Sequence, residues 1–280
     1  MAVALVDAPG PNAQDAAMGV LDTFSLRGKT AVVTAGAGPL FGSSISEALA
    51  EAGARVITAS RSLERNREYA AALAAQTGAE VHGMELDIGD ADAIGRFHAE
   101  VIDRFGNVEV LVNSALVRDA TAGSFETQTI DAWQRSAAGD MVGLYAICKA
   151  FIGSMVAAGG GSIINISSIY GVVGNDPSLY EDTEMVQPPN YNFIKAGMIN
   201  FTRYVANYYG KNGVRANCIS PGGYYTGQAG PFVERYNKRV PMGRMMDNED
   251  LKGAVVFLAS DASAYVTGHN LLVDGGFTTI

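Results

Sequence analysis

Tyr191 and Lys195 stand four residues apart in Tyr191-Asn192-Phe193-Ile194-Lys195, inside a pattern that reads as an amphipathic helix running to about Tyr209. Residues four apart share one face of a helix, so both side chains reach one bound molecule. A free phenol, with a pKa near ~10, is a poor acid at neutral pH, and an ammonium beside it favours the phenolate and lowers that value. A tyrosine tuned this way passes a proton to or from a carbonyl oxygen. An ordinary helix surface shows the same spacing by chance, so the pair gains meaning only if a hydride carrier and a second hydroxyl can be found upstream.

The elements that would position such a pair alternate along the chain. Thr30–Thr34 is a short β-branched run, a buried strand, and it leads through Ala35-Gly36-Ala37-Gly38-Pro39-Leu40-Phe41-Gly42 into a helical pattern from Ser43 to Ala52. Strand, glycine-rich turn and helix N-terminus form a site for a pyrophosphate, because small residues let the backbone approach and free N–H groups face the anion. Further strands are expected over Arg55–Ser60, Glu80–Glu85, Val108–Asn113, Ser162–Ser168, Val214–Ser220 and an edge strand over 270–276. Helices are expected over 63–77, 91–105, mainly 130–155, and from Tyr191. Strict alternation with continuous apolar strands predicts an α/β fold, a single doubly wound parallel sheet with helices on both faces. Ligands of such a sheet lie beyond the carboxyl ends of the strands. The glycine turn, Ser60-Arg61, Asp87, Asn113, Ser168 and Pro221-Gly222 all fall on that rim.

The end of the second strand bears on the choice of carrier. An acid there would bind the 2′-hydroxyl of NAD, whereas Ser60 followed by Arg61 suits a 2′-phosphate, the plain alternative being a solvated loop arginine. NADP(H) is therefore favoured, with NAD(H) the second option.

Composition limits the remaining classes. The 280 residues carry a formal charge of −9, which argues against a nucleic-acid partner or an anionic membrane surface. No apolar run reads as long enough to span a bilayer. Cys148 and Cys218 are isolated in apolar contexts, as buried thiols of a reducing, cytoplasmic compartment are. His82, His98 and His269 are scattered, so no metal site is expected. Residues 1–23, rich in Ala, Pro, Gly and Asp, read as a flexible arm ahead of one domain over 24–280.

Taken together, the chain resembles the short-chain dehydrogenase/reductase family over about residues 25–280. The resemblance rests on the glycine turn, Asp87, Asn113-Ser114-Ala115, Asn165-Ile166-Ser167-Ser168, Tyr191 with Lys195, Pro221-Gly222 through Thr226, and 265–268 with 273–276. It implies a Rossmann-type fold and hydride transfer between a nicotinamide carrier and an alcohol or carbonyl. It implies Tyr191 as acid/base, Lys195 as its tuning ammonium and ribose ligand, and Ser168 as hydrogen-bond partner of the substrate oxygen, with Ser167 the fallback. Gly36, Gly38, Leu40 and Phe41 would hold the pyrophosphate. Asp87 and Ile88 would meet the adenine, and Asn113, Ser114 and Ala115 would line the adenosine side. Pro221, Gly222, Tyr224 and Thr226 would touch the carboxamide and phosphates. Tyr170 and Tyr225 would join Ser168 at the substrate.

The chain departs from the family pattern at several points. Leu40 stands where the second glycine of the turn belongs, and Ala35 replaces the leading Thr. Asn113-Ser114-Ala115-Leu116 replaces Asn-Asn-Ala-Gly. The register set by Trp133-Gln134-Arg135 puts Asp140 in place of the family's catalytic Asn, where a carboxylate could pair with Lys195. The stretch 174–190 is longer than family spacing, ends at the catalytic Tyr, and is expected to set substrate choice. A lid is expected over 225–241, carrying Gln228, Phe232, Arg235 and Tyr236. The substrate expected is a small polar alcohol or ketone, a sugar, sugar acid or polyol. The rivals are a 3-oxoacyl-carrier-protein reductase, which would want a basic rim, and a dinucleotide-binding protein with little turnover. Pairing of the carboxyl-terminal edge strand, as in similar family members, implies a homotetramer.

Overall fold

The computed structural model describes residues 19–117 and 123–280. Seven runs of mostly aliphatic and β-branched residues form the strands: β1 Thr30–Thr34, β2 Arg55–Ser60, β3 Val81–Glu85, β4 Val110–Asn113, β5 Gly161–Ile166, β6 Val214–Pro221 and β7 Asn270–Val273. They make one sheet in the order β3-β2-β1-β4-β5-β6-β7, parallel at every pairing. Strand order reverses between β1 and β4, which opens a crevice at their carboxyl ends.

Alternation along each strand explains the two cores. Val32, Ile57, Leu111 and Ile163 face one side and pack on Ile94, Phe97 and Val101 of α3 (Ala91–Phe105), Ile147 and Phe151 of α5 (Leu144–Ala157), and Val205 of α6 (Pro189–Tyr209). Ala31, Val33, Val56, Val110 and Ile164 face the other side. They meet Ile45 and Leu49 of α1 (Phe41–Glu51), Leu73 of α2 (Leu63–Thr77), and Val255 and Leu258 of α8 (Lys252–Ala259). Each of these strand residues is fully buried. Continuous apolar strands are what a sheet covered on both faces requires.

Local signals set the helix ends. Asp90 caps α3 by accepting from the N–H groups of Asp92 and Ala93, and Gly78 closes α2 in the left-handed region. The helix expected from Ser43 starts at Phe41, and the one expected from Tyr191 starts at Pro189, because proline at the first helical position carries its φ already set. The expected edge strand is β7, at one edge of the sheet.

The expectation that no apolar stretch is long enough to span a bilayer needs correction. Residues 130–157 form one continuous helical path, α4 (Ile130–Ser136), a π-helical segment (Ala137–Gly143) and α5, long and apolar enough by length and composition. Its inner face is core, with Ile147, Cys148, Phe151 and Met155 buried under the sheet.

Of the expected arm, residues 1–18 lie outside the described residues, and Asp22–Phe24 form a short 3-10 turn. Stretch 174–190 contains a 3-10 turn at Pro177–Tyr180 and leads into α6. The lid stretch contains α7 (Gly230–Arg239).

Candidate active site

A cleft of about 670 Å³ lies beyond β1, β2 and β4, with the start of α1 in its wall. Leu40 is the residue before α1, and no side chain caps the helix start. The first N–H groups of a helix lack intrahelical partners and make an anion site. Gly42 is required there, since a Cβ on it would stand 2.0 Å from the Ala35 carbonyl oxygen. Ala35, Gly38, Leu40 and Phe41 line this end of the cleft. Leu40 therefore stands in the wall, and its backbone position is that of a helix N-cap.

The far end of the cleft is cationic. Ser60, Arg61, Ser62 and Arg65 line it, with Asp87 and Ile88 beside them. The Ser60 hydroxyl accepts from the Asn66 amide (2.8 Å), which leaves its own proton to donate outward. Asn66 is fully buried and also bonds the carbonyls of Ser60, Ser62 and Met84, so it fixes this corner. Arg65 and Asn66 had no motif to mark them. The only trace in the sequence is the four-residue spacing of Arg61 and Arg65 at the start of α2. Asp87 accepts from the Gly89 N–H at 2.8 Å.

The third wall comes from β4. Thr34 of β1 accepts from the N–H groups of Ser114 (3.0 Å) and Ala115 (3.1 Å), which sets the β4 outlet against β1. Ser114 and Ala115 line the cleft. Asn113 does not: its amide donates to Asn165 (2.8 Å), whose own amide donates to Thr202 on α6 (2.8 Å). Asn113 is a buried tie between β4, β5 and α6, a geometry its place at a strand outlet concealed.

Tyr191 and Lys195 sit on the first two turns of α6 and both line the cleft. Lys195 is buried, its ammonium lies 5.6 Å from the centre of the Tyr191 ring, and it donates to the Ile166 carbonyl at 2.7 Å. Burial pulls the ammonium down to about 8, while the nearby Asp140 carboxylate pushes the other way. Asp140 lies in the π-helical segment, where it accepts from the Val117 N–H and the Ser136 hydroxyl, both at 2.8 Å. Ser136, another residue without a motif, thus orients the carboxylate that acts on Lys195.

Tyr191 also faces a second cavity of about 330 Å³, which meets the cleft at Leu40, Phe41 and Tyr191. Ser168 opens into this cavity, and its hydroxyl accepts from the Tyr170 N–H at 3.1 Å, leaving its proton to donate. Ser167 is turned away and donates to the Lys195 carbonyl at 2.8 Å. Alternation thus separates the two serines as expected. Gly171 permits the close packing beneath, since a Cβ there would lie 2.7 Å from the Lys195 carbonyl carbon.

The cavity is roofed by the 174–190 stretch and α7. Leu179 is buried among Phe232, Tyr236 and Ile169. Arg235 donates to the Glu181 carbonyl and pairs with Asp182 at 2.7 Å, and Arg239 pairs with Asp176 at 3.4 Å. Tyr170, Tyr180, Gly222, Tyr224, Thr226, Gln228, Phe232 and Tyr236 contribute to the walls. Three expected contact residues besides Asn113 fall outside both cavities. Gly36 is packed under α1, where its carbonyl accepts from Ser46. Pro221 is buried at the end of β6. Tyr225 is 55% exposed, with its N–H held by the Met246 carbonyl.

A larger cavity, about 830 Å³, opens at the other end of the sheet between the starts of β1 and β2. It is lined by Arg27, Lys29, Arg55, Glu51 and Glu80 but by none of the residues above, so size alone does not mark the chemistry.

The arrangement places Tyr191, Lys195 and the Ser168 hydroxyl where a long cleft with a cationic end meets a small cavity. The family model described as enoyl-(acyl carrier protein) reductase matches residues 40–278. The chain is 35% identical to a D-threitol dehydrogenase of Mycolicibacterium smegmatis, over 91% of this chain and 95% of that one. It is 30% identical to a 3-oxoacyl-[acyl-carrier-protein] reductase of Aquifex aeolicus, over 90% of this chain and 98% of that one. A crystal structure of a gluconate 5-dehydrogenase from Burkholderia cenocepacia, in complex with NADP and tartrate, is similar with a TM-score of 0.83 at 27% identity, covering 94% of this chain and 100% of that one.

Proposed function

We propose that this chain, which belongs to the short-chain dehydrogenase/reductase family and is an NAD(P)-dependent oxidoreductase of alcohol and ketone groups, prefers NADP(H) and acts on a small polyhydroxy alcohol or the matching ketone. The observation that carries the reading is the convergence of Ser168 and Tyr191 on one cavity, with Lys195 buried beneath and the cationic cleft alongside.

The residues fit a dinucleotide. Uncapped N–H groups at Leu40 and Phe41 suit its pyrophosphate, Ser60, Arg61 and Arg65 a 2′-phosphate, Asp87 and Ile88 the adenine, and Ser114 and Ala115 the adenosine side. Gly222, Tyr224 and Thr226 line the adjoining cavity and suit the carboxamide end. When bound, the nicotinamide carrier supplies or accepts the hydride. Ser168 donates to the substrate oxygen and orients it. Tyr191 gives or takes the proton at that same oxygen. The Lys195 ammonium stabilises the phenolate and binds the nicotinamide ribose.

Asp140 acts on this pair through charge. Lys195 is charged below about 8 and loses its proton as pH rises through that value, and Asp140 opposes that loss. Asp140→Asn is therefore expected to retain activity and to move the pH–rate limb belonging to Lys195 to lower pH. A profile that superimposes on the parent's removes Asp140 from the relay.

An acyl-carrier-protein substrate is the rival reading. An acidic carrier would need free cations at the rim. Arg235, Lys238 and Arg239 of α7, and Arg244 after it, are each paired with a carboxylate of this chain. A panel of neutral polyols, sugar acids and 3-oxoacyl thioesters, run with both carriers and followed by nicotinamide absorbance, separates these readings. Turnover confined to the thioesters overturns the polyol reading.

Assembly as a homotetramer is supported by the outer faces of the 130–157 path and α6. These expose Ile130, Met141, Val142 and Tyr145 on the first and Phe193, Tyr204 and Tyr208 on the second, and exposed apolar surface of this kind marks protein contacts. Light scattering reads the mass directly, and a single-chain mass overturns it. A cytoplasmic setting accords with two buried free thiols, Cys148 and Cys218.

A further inference from the structure

The 330 Å³ cavity has no charged side chain in its lining among the described residues. Arg235 and Arg239 stand behind its roof, already spent on Asp182 and Asp176. A carboxylate or phosphate moved into this space would lose its water and find no cation, a costly transfer.

The polar groups that remain are of a particular kind. The hydroxyls of Tyr170 and Tyr180 lie 2.8 Å apart at the cavity wall. Tyr180 comes from the stretch that exceeds family spacing, and its ring packs on Phe232 of α7 with centroids 5.3 Å apart. Burial is the largest influence on both phenols and holds each above its ordinary value, so both keep their protons at neutral pH. Two hydroxyls that share one hydrogen bond spend one of their two protons on each other. The other proton and the remaining lone pairs are available to a third group that both accepts and donates. A hydroxyl meets that description, whereas a carboxylate, which only accepts, faces the lone pairs as well.

We propose that the Tyr170–Tyr180 hydroxyl pair reads a second hydroxyl of an uncharged polyol, while Ser168 and Tyr191 engage the reacting one, and that the cavity discriminates against sugar acids. This rests on the polyol reading above and narrows it to neutral substrates held at two points. It also assigns the long stretch before α6 its chemical purpose, which is to deliver Tyr180.

The experiment compares threitol, gluconate and 2-butanol as oxidisable probes for the parent, Tyr180→Phe and Tyr170→Phe, with carrier at saturation. The phenylalanines keep each ring and remove only the hydroxyl. For the parent, threitol turnover well above gluconate turnover is expected. In each variant KM for threitol rises roughly ten-fold, the size of one neutral hydrogen bond. The kcat for threitol and the kcat/KM for 2-butanol stay near parental values, because the reacting hydroxyl still meets Ser168 and Tyr191. A parent that oxidises gluconate as well as threitol overturns the proposal. So does an equal loss on threitol and 2-butanol in both variants, which marks a structural role. Oxidation of 2-butanol with no turnover of either carbohydrate overturns the polyol reading and this proposal together. Should one variant fail to fold, the other tests the same pair from the opposite side.

Discussion

Tyr191→Phe is expected to lose turnover by roughly 10²- to 10⁴-fold, the usual contribution of general acid–base catalysis, with carrier affinity nearly unchanged. The phenol and the ring do separate work. The ring stands in the wall shared by the cleft and the cavity, and phenylalanine preserves it. In the proposed mechanism only the hydroxyl meets the oxygen that gains or loses a proton. Lys195 stays in place, since its ammonium is anchored on the Ile166 carbonyl and its own carbonyl is held by Ser167. The loss should therefore appear in kcat, while the Kd for NADP(H), read by fluorescence titration, holds. Near-parental turnover in the variant removes Tyr191 from the mechanism. A parent that binds the carrier but turns over no alcohol or ketone returns the chain to the reading of a dinucleotide-binding protein.

Arg61→Ala is expected to erase most of a ten- to hundred-fold preference for NADP(H) over NAD(H). A hydrogen bond to a charged group is worth roughly 1.5–3 kcal/mol, which sets that range as an upper one. Arg61 is exposed, so water and salt reduce the gain, and the preference should shrink as ionic strength rises. The tertiary structure adds Arg65 to the same end of the cleft and a Ser60 hydroxyl that accepts from Asn66 and so keeps its proton to donate. Arg65→Ala should therefore weaken NADP(H) use in its own right, and the double variant should prefer NADP(H) least. NAD(H) lacks the 2′-phosphate, so its kcat/KM should change little. Ser60 and Arg61 carry no acid that would chelate a 2′,3′-diol, which leaves NAD(H) without a compensating contact. The alternative is dual specificity, with Arg61 stacked on the adenine face. Measuring kcat/KM for both carriers across the three variants decides it. A clear NAD(H) preference in the parent, unaltered by either substitution, overturns the assignment.

These two predictions draw on different depths of information. Tyr191 and Lys195 were legible because a helix imposes its period on neighbours in sequence, and four residues bring two side chains to one face whatever packs around them. Ser168 was legible only through the family resemblance, since strand alternation sends it and Ser167 to opposite sides without telling which one meets a substrate. The parallel sheet followed from β1 to β7 recurring as apolar runs between helical ones, since only strands covered on both faces read that way. The glycine turn was legible because small residues between a buried strand and a helical pattern let the backbone approach an anion, and the structure adds that the Ala35 carbonyl oxygen leaves no room for a Cβ on Gly42.

Meetings between segments far apart in sequence were not legible in this way. Asn113 sits at a strand outlet, yet its amide turns inward because Asn165 on the next strand offers a buried acceptor. Tyr225 lies in the expected lid stretch, yet its side chain is exposed and lines neither cavity. Tyr180 reaches Tyr170 only because Leu179 is buried against Phe232 and Tyr236 of α7, and because Arg235 and Arg239 tether the same stretch. Asp140 could be placed by register, but its action on Lys195 depends on Ser136, Val117 and a π-helical turn that no periodicity marks. The strands, the main helices and the Tyr191–Lys195 pair could be read locally, because each depends on bonds and periods a few residues long. The shape of the substrate cavity and the direction of each polar group within it depend on close packing of distant segments, where an ångström of displacement changes the partner.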